Sequence, residues 1–384
     1  MQKQLLTTLV VLLFNAIVPF AQEDEYLKEV IYECDFETNC IAVSEDNKTM
    51  LIGGDNKTVT LLDLTTKKVL FETLAHYQPV IEVHFSKKHN GFYTVGDKSF
   101  KLWIDNADKP EKIYKGSHTS ITDWDMSANE DFFVGGSYEK RFRCWNETEL
   151  ATPETVTTTH EKSVISIALS NNKELIASGS LDNTIKIWSA DSLQHMQSID
   201  AHSKPVCCLY FVDDTYLVSA SHDGLAYLWN IKTGERKVIY DGHTKAISDI
   251  DISPNGKYLL TAAHDNTINL YAIATGDHIH RYKYHEAAVL DVKWSAKGDE
   301  FYACDKNGKI ALWSLSPKVF VDYYFGSEMA KEVYGNTLFK PRKQGESKTE
   351  YKARQAKAEA FQEKQVDAYH KKYLDLLKTQ TIED

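Results

Sequence analysis

From about residue 27 to residue 316, apolar positions recur with period two in runs of five or six residues broken by turn formers. Residues 159–189 show the whole pattern. Ser163-Val164-Ile165-Ser166-Ile167-Ala168 alternates, as does Ile176-Ala177-Ser178-Gly179-Ser180. Asp182-Asn183 then turns the chain into Ile185-Lys186-Ile187-Trp188. Short β-branched runs punctuated by Asp-Asn predict strand, turn, strand, turn, strand. The block repeats. Its closing residues are Leu62, Trp103, Trp145, Trp188, Trp229, Tyr271 and Trp313, spaced 41, 42, 43, 41, 42 and 42 residues apart. A second ladder, His76, His118, His160, His202, His243 and His285, runs 27 or 28 residues ahead of the closing aromatic of each block. Two ladders in phase define seven copies of one supersecondary unit.

A blade of this kind cannot bury both faces alone, so neighbours must stack, and closing the stack into a ring leaves few free strand edges. The expected fold is therefore all-β, a seven-bladed β-propeller. Within the fourth block, His160, Ser178, Asp182 and Trp188 are placed to form a hydrogen-bond chain from carboxylate through imidazole and hydroxyl to indole. His202, Ser219, Asp223 and Trp229 repeat it, and His243, Thr261, Asp265 and Tyr271 nearly do. His, Ser and Asp together suggest nucleophilic catalysis, but a hydrolase needs the set once and this chain repeats it. Its expected role is to satisfy buried polar groups. The ladder histidines fall in six different blades, too far apart to share an ion, so neither metal nor cofactor is expected.

The pattern resembles the WD-repeat family of β-propellers over about residues 26–316. The literal Trp-Asp pair is absent. The first block has Cys34 where the His would stand and Leu62 for the Trp, and the third has Gly135 and Glu139 where Ser and Asp would stand. The resemblance implies that an N-terminal outer strand, residues 27–33, completes the last blade. It also implies a partner-binding rim where the turns between outer and inner strands emerge. Carried onto this chain, the rim positions are Pro79 and Ile81, Ser120 and Thr122, Ser163 and Ile165, Pro205 and Cys207, Ala246 and Ser248, and Ala288 and Leu290. The residues before the turn Asp add Leu181, His222 and His264. This rim is apolar for an acidic protein, as interaction sites are.

A net charge of -11 and the lack of a basic stripe in the repeats argue against nucleic acid or an anionic membrane as main partner. Residues 1–21 change the expected address. Lys3, the apolar run Leu5–Phe14 and the ending Pro19-Phe20-Ala21 read as a secretory signal, cleaved at a site that Pro19 leaves open, with an uncleaved anchor as the alternative; the run is short for a membrane span and carries Thr7, Thr8 and Asn15. Phe-Ala-Gln at its end resembles exported proteins of Gram-negative bacteria, which points to the periplasm or the exterior. In such a compartment Cys34 and Cys40, close together around the first inter-strand turn, are the pair able to staple the start of the ring. Cys207 and Cys208 are expected to alternate across one strand.

The organisation expected is a signal at 1–21, a propeller over 22–316, an extension over 317–346 and an amphipathic helix over 347–378. Val319–Phe325 is apolar and aromatic, and it suits an extra strand or a strip laid on the propeller. Ser347-Lys348-Thr349-Glu350 is a capping box. Ala358, Phe361, Gln365, Tyr369, Tyr373 and Leu376 follow at helical spacing, for packing on the propeller or docking a partner. The function expected is a non-catalytic protein- or peptide-binding scaffold. The rival expectations are an exported enzyme or ligand sensor using the central channel, and a subunit of a cell-envelope assembly.

Overall fold

A computed structural model describes residues 26–147, 153–158, 160–340 and 346–378. The expected signal segment, residues 1–21, lies outside them. The chain divides into two compact units: Leu27–Ser314, and a helical unit beginning at Leu315.

Among the described residues the strands form seven antiparallel sheets of four. Blades 1 to 6 span residues 38–74, 80–114, 121–157, 164–200, 206–240 and 247–283. Blade 7 joins residues 289–314 to Leu27–Glu33. The first strands of successive blades pack against one another all the way round, and Thr38–Val43 meets Val289–Trp294 to shut the ring. The period-two pattern explains this arrangement. Alternate residues of each blade enter the wedge shared with the next, where apolar side chains interlock. Between blades 2 and 3 the wedge is aromatic, with Tyr93, Phe100, Trp124, Phe133 and Trp145 buried together and Phe100 stacked on Tyr114 at 4.2 Å.

The last blade closes as expected. Strand Leu27–Glu33 pairs antiparallel with Lys309–Ser314, placing Val30 opposite Ala311 and Glu33 opposite Lys309. Ile31 is buried with Tyr302, Cys304 and Ile310 of blade 7 and with Ile41 and Ile52 of blade 1. The Cys34 N–H donates to the Gly308 carbonyl at 2.9 Å. Gly308 is required here: its φ is +84°, and a Cβ would stand 2.5 Å from the Cys34 carbonyl oxygen.

The cysteines depart from expectation. The Cys34–Cys40 disulfide does not form, and all six cysteines are free. Cys34 is drawn to the blade 7 turn, whereas the Cys40 thiol is buried facing the Val80 carbonyl of blade 2 at 3.9 Å. Cys207 and Cys208 do not alternate. Every first strand shifts register just after its first residue, in blade 5 between Val206 and Cys208. This bulge re-aims the side chains and leaves the two sulfurs 3.5 Å apart.

The run Val319–Phe325 is neither a strand nor a strip. It belongs to helix α1, Pro317–Gly335. A second helix, α2, covers Lys348–Leu377 and starts with the expected capping box. The Ser347 hydroxyl accepts from the Glu350 N–H, and the Glu350 carboxylate accepts from the Ser347 N–H. The two helices pack on each other. Val321 and Met329 of α1, Ala358 and Tyr369 of α2, and Phe339 between them form one buried cluster. Tyr373 stacks on Phe320 at 4.7 Å and on Tyr324 at 5.1 Å. The apolar stripe read from the sequence thus has an occupant that was not expected, the helix formed by the supposed linker.

Candidate interaction face

The polar quartets form as expected in blades 4 and 5. The His160 Nδ1–H donates to Asp182 at 3.0 Å, and the Ser178 hydroxyl donates to Nε2 at 2.9 Å while accepting from the Trp188 indole at 2.8 Å. His202, Asp223, Ser219 and Trp229 repeat this at 3.2, 2.8 and 2.8 Å. In blade 6, His243 bridges Asp265 and Thr261, but the Tyr271 hydroxyl turns away to the Asp241 carbonyl at 2.6 Å. Blade 2 holds a quartet that the sequence reading passed over: the Thr94 hydroxyl joins His76 to Trp103, and His76 Nδ1 lies 3.3 Å from Asp97 without a hydrogen bond. A Ser/Thr alternative at that position would have found it. In blade 7, His285 reaches Asp305 at 2.8 Å, and Ala303 leaves no hydroxyl between His285 and Trp313.

Blade 3 solves the same problem differently. Gly135 supplies no hydroxyl, and His118 stays exposed despite its place in the ladder. Buried Arg143 donates instead to Glu139 at 3.0 Å and to Ser117 and Ser137. Glu139 in turn accepts the N–H groups of His118 and Thr119.

The sets of blades 4 and 5 are buried and saturated. Ser178 has no exposed surface, so its hydroxyl is not presented as a nucleophile. Burial would raise Asp182, but the Thr184 hydroxyl, the His160 imidazole and the surrounding N–H groups hold it down at about 2. Burial also lowers His160, against the pull of Asp182. The pair is a neutral imidazole held by a carboxylate. The same Asp182 accepts the Glu161 N–H at 2.8 Å, and Asp223 and Asp265 accept the N–H groups of Ser203 and Thr244. Each quartet thereby pins the turn between a blade's middle strands to the segment entering its first strand.

Those turns and segments make up one face of the ring. Each of the rim residues named from the sequence has solvent-accessible surface there, and His222 and His264 are the most exposed of them. Several are also fasteners. Ser163 Oγ donates to the Tyr138 carbonyl, Thr122 Oγ1 to Val164 and Ser248 Oγ to Val289, each crossing to the neighbouring blade. Burial lowers His222, and the neighbouring His264 lowers it further. Among the described residues no three metal-ligating side chains converge. Two residues of this face were missed: Tyr77, 81% exposed, and Tyr138, 59% exposed. Tyr138 precedes Glu139, and the rim rule was applied only where the turn residue is Asp.

Inside the ring, carboxylates on the first strands sew blades together. Asp123 and Asp125 accept the N–H groups of Ile167 and Leu169 at 2.7 and 2.8 Å. Asp249 and Asp251 do the same for Val292 and Trp294, and Asp291 for Ile41. Lys293 sits between Asp249 and Asp291 at 3.0 and 2.7 Å. This seam chemistry was not legible, because the sequence does not say which residue of a first strand faces the axis. No described helix is long and apolar enough to cross a membrane.

Comparison with known proteins agrees with the architecture. The model of the WD domain, G-beta repeat, matches residues 108–146, 151–189, 193–230, 234–271 and 276–314. The chain is 23% identical over 239 residues to human apoptotic protease-activating factor 1, covering 60% of this chain and 19% of that protein. It is 24% identical over 205 residues to the nuclear distribution protein PAC1 of Komagataella phaffii, covering 49% and 41%. A match at 30% over 96 residues links it to the guanine nucleotide-binding protein subunit beta-1 of Homarus americanus, covering 24% and 28%. The chain therefore spans well under half the length of these relatives. The five matched segments take in about half of the chain and each ends on or next to the closing strand of a blade; blades 1 and 2 complete the ring beyond them, and the chain belongs to the WD-repeat family.

Proposed function

We propose that this protein is a non-catalytic scaffold that holds a protein or peptide partner on the rim face, and that it acts outside the cytoplasm. The observation that carries the reading is the contrast between what lies in the rim and what lies on it. The repeated polar sets beneath the rim are buried, and those of blades 4 and 5 are internally satisfied. Above it stand Tyr77 and Tyr138, large rings with one polar atom each, beside the half-exposed Pro79, Ile81 and Pro205. Aromatic side chains held exposed on a rigid frame are the usual anchors of protein interfaces. Export rests on the character of residues 1–21 alone.

The test is affinity capture from the native source with the intact protein, the Tyr77→Ala/Tyr138→Ala double variant, and a Met196→Ala/Ile239→Ala control on the outer strands. The reading expects capture to fail in the first variant and persist in the control. Capture lost only in the control moves the site to the blade edges, and turnover of a small substrate without any captured partner replaces the scaffold with an enzyme. Fractionation followed by N-terminal sequencing of the mature protein checks export.

A further inference from the structure

We propose that the rim sector of blades 2 to 4 takes an acidic segment of a protein partner, an inference that rests on the rim reading above. Four exposed lysines stand on this sector. Lys98 and Lys140 occupy the middle turns of blades 2 and 3, and Lys115 and Lys162 the segments entering blades 3 and 4. None of the four reaches a carboxylate among the described residues. Beneath them Lys101, half-buried, donates to the Ala75 carbonyl at 2.5 Å. The acids of the sector are already engaged. Asp97 is held by His76 and by the Tyr77 N–H at 3.1 Å, and Glu139 by Arg143 at 3.0 Å. Glu161 is the exposed exception.

On the opposite face of the same blades Lys109 is also exposed and, among the described residues, unpaired, but three other lysines there are engaged. There Lys87 meets Glu45, and Lys88 and Lys112 share Glu147. In a chain of net charge -11, carboxylates are in excess, so exposed lysines left without one are available to an outside anion, and the four of this sector stand beside its two exposed tyrosines. Such charges add little affinity singly but steer encounter and fix orientation. Tyr77 and Tyr138, flanking them on the same two blades, supply the apolar contact. A long polyanion is disfavoured because the net charge opposes it and the ring's interior is lined with carboxylates. A short acidic stretch meets only the lysines.

A fluorescein-labelled decaglutamate peptide is the probe, read by anisotropy at low salt. The intact protein is compared with Lys98→Glu/Lys115→Glu/Lys140→Glu/Lys162→Glu and with an equal charge change on the opposite face, Lys68→Glu/Lys109→Glu/Lys232→Glu/Lys297→Glu. Binding that weakens with salt, falls about tenfold or more in the rim variant and changes less than about twofold in the control supports the proposal. No binding, equal loss in both variants, or tighter binding of an RNA oligomer or an anionic vesicle through the same lysines overturns it. The partner captured as described above separates the two readings. If capture survives the four lysine changes but not the two tyrosine changes, the rim stands and the acidic partner falls; if it survives both, the rim itself falls.

Discussion

Ser178 shows what one hydroxyl does in this fold. It is the only link between His160 and Trp188, and both are buried. Ser178→Ala leaves an imidazole nitrogen and an indole N–H without partners, each costing about 1–3 kcal/mol. Chemical denaturation should show a loss of about 2 kcal/mol or more, and Ser178→Thr should recover most of it, since Thr94 fills the same place in blade 2. The neighbouring charges give a pH test. His160 is lowered by burial, so its unfolded form binds protons first and stability should begin to fall as pH drops below about 6.5. Asp182, held at about 2, contributes stability that is complete above about 4 and is lost as pH falls toward 2. Thermal melting of the native protein and of His160→Gln from pH 7.5 to 5 isolates the histidine part: the native curve should drop with pH more steeply than the variant's. The quartets of blades 4 and 5 were legible because their four residue types all match one template. Arg143 was not, because it solves the blade 3 problem with a residue type and a position that the template lacks.

At the level of elements, Leu27–Glu33 bears more of the fold than its length suggests. It is the fourth strand of blade 7 although it precedes blade 1, and Ile31 is buried where blades 7 and 1 meet. Ile31→Asp puts a carboxylate into that wedge with no partner offered, a penalty of several kcal/mol. The strand should peel away and expose Lys309–Ser314 as an open edge. The expected readouts are fast amide exchange across residues 309–314 and concentration-dependent self-association; unchanged exchange there would mean that the ring closes without this strand. The position of this element was readable through the family resemblance, which implies that an N-terminal outer strand completes the last blade. Helix α1 was not. A short apolar run such as Val319–Phe325 fits a strand or a helix equally well by periodicity, and the choice was made by Phe320 and Tyr324, one helical turn apart, both stacking on Tyr373. Tyr373→Ala removes both stacks and, by analogy with other buried aromatic truncations, about 3–5 kcal/mol; amide exchange in residues 317–335 should rise accordingly.

For the whole ring, seven blades were countable from spacing alone, because each closing aromatic returns at the repeat length. What the spacing could not show is that the ring is sewn from inside by carboxylates that are costly to keep charged. Burial pushes Asp251 up to about 6, with Lys293 and the Trp294 N–H pulling it down and Asp249 pushing it further up. A carboxyl raised in the folded state gives the opposite sign from the histidines: the fold retains its proton between about 4 and 6 while the unfolded chain has lost it, so this group destabilises the ring as pH rises through that window. The two effects overlap in the native protein, and only a difference between variants separates them. Asp251→Asn keeps a side-chain oxygen for the Trp294 N–H, gives up the acceptor used by Ile252 at 2.9 Å, and removes the titration. Its stability relative to the native protein should therefore improve by about 2 kcal/mol from pH 4 to pH 7, whatever its offset at pH 4, while its histidine-driven slope stays the same. Parallel denaturation curves across that range would mean that solvent in the channel keeps Asp251 ionised at little cost, and the seam would then owe its strength to hydrogen-bond geometry without a penalty for buried charge.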